Sequence, residues 1–186
     1  MGVLIQQLET AAHILGSAGD LVQVHVVCEL GEQPFVRLHT PHQLAVADQR
    51  SAVDRVAAVL GEVPLLQPVF TGRHGASVRG VREGVEIVAV TNAAIPDSVL
   101  PQRTTTTHGT IAVLRAVVPW ACNVEAHVHT LAVHDLSTRY SVAVDVTDGE
   151  AAEAVLAGLV RDKPRGRARR ALLPTGHSLT VRVISL

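Results

Sequence analysis

Val22-Gln23-Val24-His25-Val26 returns further along the chain as Val124-Glu125-Ala126-His127-Val128, and this echo decides how the sequence is read. Two shorter echoes accompany it. Thr71-Gly72-Arg73-His74 matches Thr175-Gly176-His177, and Ser77-Val78-Arg79 matches Thr180-Val181-Arg182. The three pairs are offset by 102, 104 and 103 positions. Chance matches have no reason to share an offset, so the pattern predicts an internal duplication.

Periodicity gives the elements of the first copy. Leu4, Leu8, Ala11, Ala12 and Leu15 recur at helical spacing over 3–18, with Gly16 and Gly19 as the stop. From residue 21 the pattern alternates. Val22, Val24, Val26 and Cys28 fall on one strand face; Gln23, His25 and Glu29 fall on the other. After a turn at Gly31 to Pro34, residues 35–40 complete a hairpin with one wet face. Residues 41–60 predict a helix opened by Pro41 and closed by Gly61. Short strands are expected over 64–70, 76–81 and 85–91.

Residues 93–109, with Pro96, Pro101 and the run Thr104 to Thr107, have no periodicity and read as a linker. The pattern then restarts. A helix is expected from Thr110 to a stop near Pro119, then a hairpin over 123–133 and 139–147. Asp148 is the expected cap of a helix to about Val160, and strands over 171–174 and 178–185 follow. The predicted fold class is therefore α+β. Two related αββαβ-type modules, 1–92 and 110–186, carry mainly antiparallel sheets covered by helices on one face.

Composition bounds the function. The chain has 186 residues, 47% hydrophobic and 18% charged, enough for a packed core. Phe35, Phe70, Trp120 and Tyr140 are its only aromatic residues, which removes the usual stacking platform for single-stranded nucleic acid. A net charge of -1 argues against a generally basic nucleic-acid binder. Cys28 and Cys122 do not form a disulfide framework. No leader or membrane-spanning pattern is present, so a cytoplasmic protein without membrane association is expected. Lys163 is the sole lysine among many arginines, which associates the chain with a GC-rich bacterial or phage genome.

Three groups of residues carry candidate chemistry. On the expected strand 123–133, Glu125, His127 and His129 share a face, and Asp145 of the neighbouring strand points the same way. His127, His129 and Asp145 form a reasonable set for a divalent transition metal, with His134 as a further donor. The bland reading is a solvated, histidine-rich face. The matching face of the first half offers Gln23, His25, Arg37 and His39, a poor metal set that suits an anion pocket or a pH-sensitive interface.

The second group is a basic tract: Arg161, Lys163, Arg165, Arg167, Arg169 and Arg170. Its centre, Pro164-Arg165-Gly166-Arg167, resembles an AT-hook, although Ala168 stands where a hook usually has proline. That resemblance implies contact with the minor groove of DNA; a solvated loop or an acidic partner is the alternative. The third is Arg73-His74-Gly75, which resembles the short signature of histidine phosphatases. In that family the tripeptide follows the first strand of an α/β sheet, whereas here it falls mid-chain in an α+β pattern. A turn entering a strand is the simpler reading.

Neither a GxSxG elbow nor a GxxxxGK[ST] loop occurs. The leading expectation is a non-enzymatic binding or assembly protein, with no favoured cofactor and with a protein partner or self-association. Alternatives are a nucleic-acid-associated protein using 161–170 and a metal-dependent enzyme using His127, His129 and Asp145.

Overall fold

The computed structural model describes residues 2–68, 74–92, 103–162 and 168–184. Helix α1 (Val3–Ala18) leads into strands β1 (His25–Glu29) and β2 (Phe35–His39). Helix α2 (Val46–Leu60) follows, then β3 (Leu65–Pro68), β4 (His74–Arg82) and β5 (Val85–Val90). The second half comprises α3 (Thr107–Val124), a 3-10 turn over Glu125–His127, β6 (Thr130–Asp135), β7 (Tyr140–Val146), α4 (Gly149–Leu156), β8 (Val160–Arg161), β9 (Arg169–Leu172) and β10 (Ser178–Val183).

The described strands form one ten-stranded sheet in the order β3-β4-β5-β2-β1-β6-β7-β10-β9-β8. Outward from the central β1–β6 pair, both sides read the same: first strand, second strand, last strand, then the outer hairpin. In each half the last strand runs parallel to the second, β5 beside β2 and β10 beside β7, and every other pairing is antiparallel. The two halves therefore share one continuous sheet, joined by antiparallel pairing of Val26 with Val133 and Cys28 with Leu131.

Alternation sorts the strands' side chains. Val26, Cys28, Val36, Leu38, Ile87, Leu131, Val133, Val142, Val144 and Leu179 are buried on one face and join the apolar stripes of all four helices in a single core. Leu4, Leu8, Ala11 and Leu15 of α1 are fully buried, as are Leu114, Val117 and Ala121 of α3 against which it packs. Each of these larger aliphatic side chains stabilises the fold by roughly 1.5–3 kcal/mol relative to exposure. The opposite sheet face carries no helix among the described residues.

Several expectations are corrected. The echo that opens the sequence reading does not fall on equivalent elements. Val24 to Val26 lead into and lie in β1, whereas Val124 closes α3 and Glu125–His127 form a 3-10 turn. Likewise Ser77 lies in β4 and Thr180 in β10, strands that hold different places in the order. Residues 71–73 lie outside the described set, so their echo has no counterpart in the structure. What recurs is the order of elements.

Helix α3 does not stop near Pro119. It runs on to Val124, because Val113, Leu114, Val117, Ala121 and Val124 keep a buried stripe at helical spacing while Pro119 sits on the exposed side. Only one backbone donor is lost there, and packing outweighs it. That extension displaces the expected strand 123–133 to Thr130–Asp135. Helix α2 begins later than Pro41, at Val46, after a turn closed by Leu44 N donating to Pro41 O at 3.1 Å. Helix α4 is capped as expected, with Ala151 N donating to Asp148 Oδ1 at 2.8 Å, but ends at Leu156. The described end of the expected linker is not loose: Thr106 caps α3, accepting from Gly109 N at 3.1 Å.

Candidate functional site

Pairing register arranges the side chains of the helix-free face in three rows. The middle row runs Arg79, Val88, Arg37, Val27, Ala132, Ala143, Thr180 and Arg170. Its centre is small and apolar: Val27 faces Ala132 across the junction of the halves, and Ala132 faces Ala143. Ala132 and Ala143 are buried among their neighbours, and Val27 and Val88 are half-buried.

A charged row of Glu86, Glu29, Asp145 and Arg182 flanks that centre, and Arg79 and Arg37 of the middle row reach across to it. Arg37 pairs with Glu29 at 2.8 Å, and Arg79 with Glu86 at 3.0 Å. Arg182 grips Asp145 through two bonds, Nε to Oδ1 at 2.7 Å and Nη2 to Oδ2 at 3.0 Å. These carboxylates and guanidiniums are balanced in place, so this margin is polar without a strong net field.

The third row is histidine. His39 pairs with His25 in register, their ring centroids 5.1 Å apart, and the His134 ring lies 5.2 Å from His25 on the other side. The three rings line a cavity of about 420 Å³ together with His42, Asn92 and Ser137. His25 is 8% exposed, and its Nδ1 is buried with no hydrogen-bond partner among the described residues. Burial, and then the neighbouring imidazoles of His39, His134 and His42, push His25 down to about 3. Burial also brings His39 to about 4, helped by His134 and Arg37 and opposed by a backbone bond at Thr40. His134 is lowered by burial and by Arg182, against the pull of Asp145. At neutral pH the row is therefore uncharged.

Fixed polar side chains hold this corner. Asn92 Nδ2 lies 3.2 Å from His39 Nδ1 and also donates to Thr40 O. Buried Gln49 accepts from Asn92 N at 2.7 Å and donates to Leu44 O at 2.9 Å. Across the junction, Gln23 Nε2 donates to Asp135 O at 2.5 Å.

The residues singled out in sequence are distributed differently. His127 sits in the 3-10 turn rather than on a strand, and lines with His129 a separate cavity of about 350 Å³ beside Asp148. His129 N donates to Asp145 O at 2.9 Å, but the Asp145 carboxylate is turned to Arg182. Among the described residues, no three His, Cys, Asp or Glu side chains are arranged to hold a metal ion.

The basic tract is divided by strand alternation. Arg161 pairs in register with buried Ala171, and Arg169 with buried Val181, so both lie on the helix side. There both bind Glu153 of α4, Arg161 at 2.8 Å. Arg170, opposite Thr180, is on the helix-free face. Lys163, Arg165 and Arg167, and with them the hook-like core, lie outside the described residues, as does Arg73. Cys28 is fully buried, and burial pushes its thiol up to about 12; Cys122 is exposed.

Sequence reading missed the union of His134 with His25 and His39. The clue was the alternation of β7, which fixes β6 opposite it. Placing the partner strand at 123–133 hid it.

Comparison of the chain with protein-family models, with curated proteins and with solved structures found no match. No described helix is long and apolar enough to cross a membrane.

Proposed function

We propose that this chain is a non-enzymatic binding or assembly protein whose docking surface is the helix-free face of the sheet. The single observation that carries the reading is that face itself. The four described α-helices and the core cluster of described residues lie on the other side, and a sheet that presents a small, apolar centre between polar margins has the layout of an interface. The repeated order of elements supports an origin of the two halves, 1–92 and 110–186, in one duplicated module joined by 93–109. The occupant is a protein surface, either a second copy or another chain.

Sedimentation velocity of the full chain over a wide concentration range tests the self-association form. Concentration-dependent assembly that disappears in a folded Ala132→Arg/Ala143→Arg variant supports the reading. Assembly that survives a charged face contradicts it.

A further inference from the structure

The histidine row crosses the seam between the halves. His25 belongs to β1 and His134 to β6, the two strands whose pairing makes one sheet out of two, and His39 stands beside His25 on β2. A charge on His25 would sit on a residue only 8% exposed, whose Nδ1 has no hydrogen-bond partner among the described residues. The titratable groups acting on it are His39, His134 and His42, all of them basic. His39 faces His134 and Arg37, and His134 faces Arg182 and, against it, Asp145. Asp145 is already bound bidentately by Arg182. Asp135 lines the same cavity; its Oδ1 accepts from Thr105 Oγ1 and Ser137 N, and its Oδ2 is buried with no hydrogen-bond partner among the described residues. A proton on buried His25 together with one on His39 or His134 would thus place like charges on rings whose centroids are 5.1 or 5.2 Å apart, where repulsion is strong.

We propose that the His39–His25–His134 row is an acid-operated seam: uncharged, it lets β1 and β6 join the halves, and protonated, it parts them. The consequence is local. Among the described side chains the outer hairpins carry no histidine row, so the sheet loosens at its middle before its flanks. The sign agrees with the environment of the rings: burial disfavours the charged form, so the closed seam holds at neutral pH and acid must open it to bind protons.

Hydrogen–deuterium exchange of the full chain tests this, read at pH values from about 7.5 to about 4.5 and corrected for intrinsic rates with unfolded peptides. The expected result is that amides of 26–29 and 130–134 lose at least about ten-fold protection across that range while those of β4 and β5 lose far less. In a His25→Phe variant, which keeps a ring without a titrating nitrogen, seam opening should shift to lower pH. If that variant fails to fold at neutral pH, the rim variant His39→Gln/His134→Gln serves, with the same shift expected. Seam amides that stay as protected as β4 and β5 at every pH would overturn the proposal. So would opening at an unchanged pH in the folded variant.

Discussion

The Tyr140 hydroxyl clasps both backbone groups of Thr106: it accepts from Thr106 N at 2.9 Å and donates to Thr106 O at 2.6 Å. One phenol at the start of β7 thus fixes the residue that caps α3, tying the entry of the second half to its own sheet. Tyr140→Phe should cost about 1–2 kcal/mol in urea unfolding, because it removes both bonds and leaves the ring in place. Gly109→Ala gives a sharper check. Alanine normally improves a helix interior by up to about 1 kcal/mol over glycine. At position 109 a Cβ would collide with the Tyr140 hydroxyl and ring, so the substitution should destabilise. A gain in stability would show that the clasp is not formed.

Asp135 is the second tie. It is 1% exposed, and its Oδ1 accepts from Thr105 Oγ1 at 2.5 Å and from Ser137 N at 2.9 Å. Ser137 O in turn accepts from Thr104 N and Thr105 N, which holds the segment entering α3 against the β6–β7 turn. Asp135→Ala should cost roughly 2–3 kcal/mol, since it strands buried donors, and Asp135→Asn should cost less. Equal losses in the two variants would contradict the hydrogen-bond account and point to packing alone.

Stability should also depend on pH with a defined sign. His25 and His39 are held near 3 and 4 in the folded chain by burial first, then by the neighbouring imidazoles and, for His39, Arg37, below the ordinary value of 6.5. The unfolded chain therefore binds protons first as the solution is acidified. Their contribution to stability is fully present above about pH 6.5 and is lost progressively as pH falls toward 4 and 3. Urea midpoints measured from neutral to mildly acidic pH should fall, and should fall less steeply in His25→Phe. A midpoint that rises on acidification would refute the assignment.

Glu153 predicts the behaviour of the basic tract. It holds Arg161 and Arg169, and all three side chains are substantially exposed, so Glu153→Ala should change stability by no more than about 1 kcal/mol. If those arginines served nucleic acid, releasing them would tighten binding to labelled duplex DNA and steepen its salt dependence. With a protein as the partner, anisotropy at physiological salt should be the same for Glu153→Ala and the unaltered chain.

Local patterns were legible in the sequence where one physical cause dominated. The alternation around Val24, Val26 and Cys28 placed the buried face of β1, and Asp148 marked the start of α4 correctly. The mixed α+β class followed from such signals. The end of α3 was not legible, because a local rule about Pro119 competes with a packing stripe whose partner, α1, is distant in sequence. A helix end near Pro119 puts His127 on a strand and His134 in a turn, whereas the end at Val124 puts His127 in the 3-10 turn and His134 in β6. The division of the arginines between two faces was hidden for the same reason: Arg169 and Arg170 differ only in parity, and parity is set by pairing with β10. The insertion of β5 and β10 beside β2 and β7 is a matter of tertiary order that periodicity does not encode.

The most direct measurement is site-specific photo-crosslinking in cells. A photoreactive residue is placed at Val88 or Thr180 on the helix-free face, or at Ala58 or Arg115 on the exposed side of the helix layer. Docking on the sheet predicts discrete crosslinked species, to a second copy or to one partner protein, from the face positions and none from the helix positions. Crosslinks from Ala58 and Arg115 with a silent sheet face would contradict it.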